Sequence, residues 1–287
     1  MKNLSIIPTL ILSLLLCRTA AAEPIAAQVD EMLYGPQTAT TSTATASAWN
    51  GADDSGTPEL RASVGVGVVS APEFEGSDKN DARFLPMVDI RYDRFFLSWT
   101  KGLGMDAYSD DTWTISPALR YRFGRDEDDS RLLRGMGDID DGVELGGQIS
   151  WHPYAVGVVM NAFQGLGSAK GLTVDVGAVH RRQLFDQLAL VAGASVMFAD
   201  SSYNRQYFGV TRSQSVTSGY DHYNPGSGVK HWAVKGALSW EITPIVTMDV
   251  FGQFKKLTGP ADDSPLVKAG SNEQFLGGVS LNLSLGN

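Results

Sequence analysis

The sequence has almost no cysteine and no long apolar run beyond its first residues, and these absences exclude several classes of protein. The single cysteine, Cys17, lies at the end of an N-terminal apolar stretch. The chain after it therefore has no thiol for disulfides or for thiolate metal sites. Hydrophobic residues make up 43% of the chain. Even so, no stretch after residue 22 approaches the ~18–20 consecutive apolar residues of a membrane-spanning helix, which excludes helical spans there.

Positive charge is also scarce. The chain has 23 Lys and Arg residues against 32 Asp and Glu residues, a formal net charge of −9, and no basic cluster. Binding to the phosphate backbone of DNA or RNA depends on grouped basic side chains. The composition therefore excludes nucleic acid as an expected partner.

The first 22 residues have the three parts of a secretory signal peptide. Lys2 supplies a positive start, residues 4–16 are almost wholly apolar, and three small residues end at Ala22. This pattern predicts cleavage between Ala22 and Glu23. A lipoprotein signal is disfavoured because the bulky Leu16 precedes Cys17, where such signals have a small residue.

Residues 23–58 differ in composition from the rest of the chain. Ala, Thr and Ser dominate positions 38–48, and Gly and Pro follow. Such a segment has too little apolar surface to offset the entropy lost on ordering. We expect residues 23–58 to form a flexible periplasmic tether and residues 59–287 to form the folded domain.

From Glu59 onward, large apolar residues alternate with small or polar ones. Val64, Val66 and Val68 fall on one face of the first segment, and Ser63 and Gly65 fall on the other. Successive side chains of a strand point to opposite faces, so a period of two predicts strands with one apolar face. Pro117 is the exception within such a segment, because proline removes a hydrogen-bond donor from the sheet.

The spacing of these segments favours a transmembrane barrel over a soluble sandwich, although both would alternate. Tight turns follow every second predicted strand, and most of the other connections are long. This asymmetry is typical of barrels with short periplasmic turns and longer extracellular loops. The sequence predicts an all-β, antiparallel, closed barrel of about twelve strands at 59–70, 83–92, 94–101, 104–109, 112–124, 143–152, 154–164, 171–183, 188–199, 231–242, 245–257 and 273–285.

A closed barrel leaves no unpaired strand edge in hydrocarbon. Aromatic residues near strand ends would then form two interfacial girdles, which we assign to Tyr92, Phe95, Trp113, Phe123, Trp151, Tyr154, Trp232 and Trp240. Charged residues on the other face would point into the lumen. They could pair and plug it or line a narrow pore, and the predicted inward set is Arg61, Arg120, Arg122, Asp175, Lys235, Glu241, Asp249 and Lys255.

Five short motifs in the loops resemble the MltA-interacting protein (MipA/OmpV) family, in family order. They span almost the whole predicted barrel. Their characteristic residues are Pro72, Gly76 and Ser77; Gly124 and Arg125; Gly135, Gly137 and Asp138; Tyr207, Phe208 and Gly209; and Ser264 and Pro265.

The resemblance implies a non-enzymatic scaffold in the outer membrane of a Gram-negative bacterium. Such a scaffold would bridge a peptidoglycan lytic transglycosylase and a murein synthase. Outer-membrane lipid and lipopolysaccharide would be its surroundings. The family has no accepted catalytic residues or cofactor, so we expect none here.

Three sequence patterns could indicate catalysis or ligand binding, but each also has a structural explanation. Ser218, Asp221 and His222 could form a triad, but neighbouring loop positions seldom hold that geometry. The acidic residues from Asp126 to Asp141 match no calcium-loop spacing, so we expect them to hydrate an external loop and to bridge to lipopolysaccharide through divalent ions. The strand glycines lack the strand–turn–helix context of a dinucleotide site. Of the other histidines, His152 and His180 fall near periplasmic strand ends, and His231 is assigned with His222 to the 200–230 region.

Two alternatives to the scaffold stay open. A narrow diffusion channel for polar solutes is favoured by the charged inward positions. A surface adhesin would use the long segments 125–142 and 200–230.

Overall fold

The computed structural model describes residues 60–153 and 156–285, which form one antiparallel sheet. The predicted signal peptide and tether lie outside the described residues. The strands are β1 Leu60–Pro72, β2 Asn80–Tyr92, β3 Phe95–Ser98, β4 Gly102–Met105, β5 Tyr108–Ser109, β6 Trp113–Arg122, β7 Gly142–Trp151, β8 Val156–Leu166, β9 Leu172–Phe185, β10 Leu188–Ala199, β11 Gly228–Thr243, β12 Val246–Leu257 and β13 Glu273–Leu285.

Apart from β4 and β5, each strand pairs with its neighbours in chain order, and two pairings close the sheet. β1 pairs with β13, and β4 pairs with β6. Since β4 and β5 both pair with β6, they are two pieces of one interrupted strand. The thirteen segments therefore occupy twelve strand positions, and the predicted closed barrel of about twelve strands is confirmed.

The alternation seen in the sequence sorts side chains between the outside and the lumen. Val64, Val66 and Val68 are exposed on β1, whereas Gly67 and Val69 are buried. The same pattern repeats on β6, β11 and β13. An exposed apolar surface of this extent is unsuited to water and matches the lipid-facing band of a membrane barrel.

Most of the predicted girdle residues are exposed near strand ends, as expected. Tyr92, Phe95, Trp113 and Trp151 lie beside the short turns. Phe123 was assigned wrongly: it is partly buried and packs against an interior apolar cluster with Trp99. Tyr154 falls in the gap of the described residues.

The main difference in strand length concerns β3 and β4. The sequence predicts strands at 94–101 and 104–109, but β3 has four residues, β4 has four, and the second strand breaks before β5. The break accommodates Pro117, which lies on β6 between Ala118, paired with Gly104 of β4, and Ile115, paired with Tyr108 of β5. Here the partner strand is irregular, so the missing proline N–H is tolerated.

The two ends of the barrel differ in structure. The short turns lie at one end, together with the start of β1 and the end of β13. We call this the short-turn end, and general barrel architecture places it in the periplasm. The long-loop end carries α1 Ser201–Tyr207, α2 Arg212–Ser218, α3 Gly259–Asp262, α4 Pro265–Ala269 and two 3-10 turns, Glu127–Asp129 and Arg131–Leu133. None of the helices in the described part of the chain has the length and apolarity to cross a bilayer.

Candidate functional site: a loop cap over the lumen

The long loops pack together into a cap with its own apolar core. One cluster joins Phe74, Leu133, Met136, Val210 and Leu266, which come from four different loops. A second cluster joins the first helix of the cap to the strand ends beneath it, through Ala199, Tyr203, Phe208, Leu257, Ala261 and Val267. Burial of this extent fixes the loops relative to one another. The 200–230 segment is therefore part of a packed cap.

The motif residues chosen from the sequence meet in this cap. Phe208 and Ser264 are fully buried, and the Ser264 hydroxyl donates to the Phe208 carbonyl at 2.7 Å. Arg125 donates to the carbonyl of Tyr207 at 3.1 Å, and its guanidinium lies 6.0 Å from the Phe74 ring centroid. Burial lowers the pKa of Arg125 to about 10. These motifs therefore hold separate loops together.

The first motif connects to the last strand. The Gly76 N–H donates to Gln274 Oε1 at 3.1 Å, and Gln274 Nε2 donates to the Ser77 carbonyl at 3.1 Å. Gln274 is buried on β13. Pro72 ends β1 just before this contact. The amide of Gln274 thus anchors the β1–β2 loop across the closing seam of the barrel.

The acidic segment of the β6–β7 loop organises its own backbone. Glu127 Oε2 accepts from the N–H groups of Gly135 and Gly137 at 3.0 and 2.9 Å. Asp138 Oδ1 accepts from the Glu127 N–H at 2.8 Å, and Asp141 Oδ1 accepts from the Gly124 N–H at 2.8 Å. These carboxylates stabilise a folded loop. No metal-binding group of three or more His, Cys, Asp or Glu residues occurs within residues 60–153 and 156–285.

A buried charged layer lies directly beneath the cap. The Glu75 carboxylate is 3.1 Å from Lys230 Nζ and 3.0 Å from Lys255 Nζ, and both lysines are almost fully buried. Lys230 Nζ is also 3.3 Å from the Tyr203 hydroxyl. His231, on β11, is buried beside them with Nδ1 3.9 Å from Glu75 Oε1. One loop carboxylate therefore connects two inward lysines of the wall to the cap. The assignment of His231 to the long loop was wrong.

A second buried group joins β6 and β7. Arg120 Nε donates to Glu144 Oε2 at 2.7 Å, and Arg122 also pairs with this fully buried carboxylate. The Arg122 guanidinium lies 4.8 Å from the Tyr203 ring centroid. Burial raises the pKa of Tyr203 and of Tyr207, so both stay neutral phenols at physiological pH. Arg120, Arg122 and Lys255 of the predicted inward set are thus paired.

Other interior positions are filled by apolar or polar clusters. Phe96 on β3, Ala118 on β6 and Phe163 on β8 pack together inside the barrel. Asp249 Oδ2 accepts from Asn282 Nδ2 at 2.8 Å nearer the short turns. The inside of the barrel therefore contains both apolar clusters and hydrogen-bonded polar groups.

The imagined catalytic triad does not form. The Ser218 hydroxyl donates to the Gln214 carbonyl at 2.6 Å, as part of the end of α2. His222 and Asp221 lie in the following loop. A nucleophile engaged with its own helix is not presented to a base.

The short-turn end offers a different surface. Phe185 and Ile245 are 71% and 58% exposed at two of its turns. In the β5–β6 turn, Asp110 Oδ1 accepts from the N–H groups of Thr112 and Trp113 at 2.8 and 2.6 Å. Hydrogen bonds, first that of the Tyr108 hydroxyl, lower the pKa of Asp110. The short-turn end therefore has exposed apolar side chains at two turns and a hydrogen-bonded β5–β6 turn.

Sequence reasoning missed the residues that complete the charged layer. Glu144 and Lys230 were not selected, although Glu144 follows the inward period of β7 and could have been found from it. Lys230 lies before the predicted start of its strand at 231, so no periodic signal marked it.

Comparison with known proteins identifies the family of this chain. The family described as "MltA-interacting protein MipA" matches residues 64–284. The MltA-interacting proteins of Escherichia coli K12 and of Shigella flexneri are each 26% identical over 213 residues, covering 71% of this chain and 82% of theirs.

Among solved structures, the NanC porin is 9% identical, covers 80% of this chain and 100% of its own, and has a TM-score of 0.38. The KdgM porin is 6% identical, covers 78% of this chain and 99% of its own, and has a TM-score of 0.39. The family match extends over far more than half of the sequence and over every strand position of the barrel. The chain is therefore an outer-membrane β-barrel that belongs to the MltA-interacting protein MipA family.

Proposed function

We propose that this protein is a non-enzymatic outer-membrane scaffold that holds a peptidoglycan lytic transglycosylase and a murein synthase at the membrane. Family membership carries the proposal, because the relatives in E. coli and S. flexneri are named for interaction with MltA. A scaffold needs no active site. Arg125, Asn204 and Ser264 are buried polar residues of the cap, and each donates a structural hydrogen bond to a backbone carbonyl.

The geometry favours the short-turn end as the contact surface. The packed cap covers the opposite mouth, whereas a cell-wall enzyme works in the periplasm. Exposed Phe185 and Ile245 give the short turns apolar anchors of the kind that bind protein partners. Residues 23–58 precede β1, which begins at this same end, so the proposed tether would extend the surface.

The test is a crosslinked pull-down from the native envelope. The full mature chain is compared with a variant that lacks residues 23–58. Recovery of a lytic transglycosylase or a murein synthase with the full chain supports the scaffold, and loss of recovery on truncation assigns the contact to the tether. Absence of any cell-wall enzyme from the full-chain sample contradicts the proposal.

Two controls make the pull-down specific. A variant with Phe185→Ser and Ile245→Ser tests the turns without removing the tether. A variant with Val216→Ser changes a residue that is 86% exposed on α2, in the cap, and should leave capture unchanged. Each variant must show the heat-dependent gel migration of a folded barrel.

A narrow diffusion channel is the second candidate. The polar inward residues of the lower lumen, such as Asp249 and Asn282, favour it. The packed cap and the Phe96–Phe163 cluster oppose it. The adhesin hypothesis stays a prediction and would be tested by deleting the cap loops and measuring binding to host or matrix proteins.

A further inference from the structure

The barrel wall has a gap on one side, above the short β3–β4 hairpin. β2 pairs with β3 only over Asp89–Tyr92, and β4 pairs with β6 only at Leu103 and Gly104. Towards the long-loop end, β2 continues to Asn80 and β6 continues to Arg122. Within the described chain, these two upper segments have no strand between them. We call this gap the notch; residues 99–101 of the hairpin form its floor.

The notch lies at the depth of the lipid-facing surface. Phe84, on its β2 side, is 75% exposed and pairs across the sheet with Val68, whose next neighbour on the other side is Val279. Both valines are exposed on the outer face. On the other side of the notch, Leu119 and Tyr121 are also exposed. The medium at this height is hydrocarbon, where an unpaired strand edge is unfavourable.

The free edge of β2 has few hydrogen-bond donors. The Val88 carbonyl accepts from the Trp99 N–H at 2.8 Å, so the backbone groups of Val88 face β3. Alternate residues of a strand face the same side, which turns the backbone of Pro86, Phe84 and Ala82 towards the notch. Pro86 has no N–H, and the Ala82 N–H donates to Asp81 Oδ1 at 2.9 Å.

This edge therefore disfavours the addition of another strand. Of these three residues, only Phe84 has an N–H that could pair with an added strand. Proteins prevent strand pairing at a sheet edge in part by removing its hydrogen-bond donors, for example with proline. A protein strand or a second copy paired edge to edge is thus a poor occupant, and an apolar chain without hydrogen-bonding needs is a good one.

The inner side of the notch has an apolar surface above a polar floor. The rings of Trp99 and Phe123 are 5.8 Å apart and pack against a buried cluster that includes Leu85 and Met87. The floor contains Thr100, whose hydroxyl lies 3.0 Å from Ser98 Oγ, and Lys101, whose charge interacts with Asp89 and Asp106. A chain that entered the notch above this floor would meet the two aromatic rings.

We propose that the notch binds one acyl chain of a membrane lipid, which enters laterally from the bilayer and packs against Trp99 and Phe123. The inserted chain covers the inner apolar surface that the missing length of wall leaves open. The proposal is independent of the scaffold function, because it concerns only the wall of the barrel.

Quenching of Trp99 by brominated lipid tests the proposal. A variant keeps Trp99 and carries Phe at the other five tryptophan positions of the six in the sequence. It is refolded into phosphatidylcholine vesicles with either normal or dibrominated acyl chains. The Trp99 ring is partly buried and packs against the interior cluster, so quenching of Trp99 to the level of the exposed Trp113 requires acyl chains inside the notch.

Two reference variants calibrate the measurement. One keeps only Trp113, which is exposed on the outer face and must be quenched. The other is tryptophan-free with Phe163→Trp, at a buried inward position on β8 that must not be quenched. The proposal expects Trp99 to lose emission to an extent close to Trp113. Adding Phe123→Ala should increase the loss.

Emission from Trp99 that survives as well as that of the Phe163→Trp variant overturns the proposal, whether protein or a second copy covers the notch. If the multiple replacement prevents folding, the share of Trp99 is taken as the difference in quenching between the wild-type chain and a Trp99→Phe variant. A difference of zero also overturns the proposal.

Discussion

Among single residues, Glu75 connects the cap to the charged layer beneath it. Its carboxylate is shared by Lys230 and Lys255, whose side chains are 2% and 4% exposed. Glu75→Gln keeps the shape but removes the carboxylate that the two buried ammonium groups share. Removing one partner of a buried ion pair costs about 3–5 kcal/mol. We expect a corresponding fall in the free energy of unfolding, measured by urea titration of the refolded barrel in vesicles.

The matched control is Glu273→Gln. Glu273 pairs with Lys256 at 3.1 Å on the outer surface, with side chains 58% and 37% exposed. Exposed pairs contribute about 0–1 kcal/mol. Equal losses for the two variants would show that Glu75 does not act through burial.

Two glycines of the β6–β7 loop give a second prediction at this scale. Gly135 has φ +80°, and a Cβ placed there would lie 2.7 Å from the Thr217 backbone; Gly137 has φ +70° but open space around it. Gly135→Ala therefore adds a steric clash to backbone strain, whereas Gly137→Ala adds strain alone. Strain of this kind amounts to about 1–2 kcal/mol. We expect proteolysis to cleave the cap of the Gly135→Ala variant fastest, that of the Gly137→Ala variant more slowly, and that of the wild type slowest.

Gly226→Ala is the control, since Gly226 lacks a positive φ and has no atom within 4 Å of the added Cβ. Its cleavage rate should equal that of the wild type. A Gly135→Ala cap as resistant as the wild-type cap would contradict the contact between the β6–β7 and β10–β11 loops.

At the scale of strands, the unpaired edge of β2 makes a prediction about proline. Phe84 and Val64 both face outward, but the backbone of Phe84 faces the notch, whereas Val64 lies between β13 and β2. Val64→Pro removes a hydrogen bond from the sheet, and a buried group left without its partner costs about 1–3 kcal/mol. Phe84→Pro removes no strand-to-strand bond.

The measurement is the fraction of chain that shows folded gel migration after refolding in vesicles. We expect Phe84→Pro to fold nearly as well as the wild type and Val64→Pro to fold poorly. Similar losses for both would mean that β2 is paired at Phe84, and the notch would then not exist.

The strands were largely predictable, because a two-residue period follows directly from having lipid on one side and the lumen on the other. Twelve positions and the asymmetry of the connections came from this signal. The shortness of β3 and β4 was not predictable, since Trp99 and Phe123 are as hydrophobic as lipid-facing residues but pack against the interior cluster. Periodicity records polarity, and it cannot distinguish hydrocarbon from an apolar lumen.

The cap was harder to predict for a different reason. Its residues were found as motifs, but their roles depend on contacts between loops that are far apart in sequence. Ser264 bonds Phe208, and Gly135 accepts from Thr217 at 2.5 Å, across 56 and 82 positions. A loop rich in Asp and Ser looks solvated when it is considered alone. Only the combined burial of several loops makes it a core.

At the scale of the whole molecule, the two ends of the barrel differ in whether loops cover the lumen. The long-loop end is closed by packed loops above a buried charged layer, and the short-turn end presents rigid turns. A solute crossing the barrel would have to displace the cap or break the pairing of Glu75. Single-channel conductance therefore distinguishes the proposed scaffold, which should not conduct, from the proposed channel, which should.

The expected result for the intact barrel in a planar bilayer is no stable single-channel conductance. Replacing residues 201–226 by a short Gly-Ser linker removes Tyr203, Phe208 and Val210, which contribute to both apolar clusters of the cap. The wall keeps its full set of strand pairings, because β10 ends at Ala199 and β11 begins at Gly228. We expect this variant to conduct more than the intact barrel, provided that it shows folded gel migration. Steady conductance of the intact barrel, unchanged by the deletion, would instead favour the diffusion channel, since current would then pass a mouth that the cap does not close.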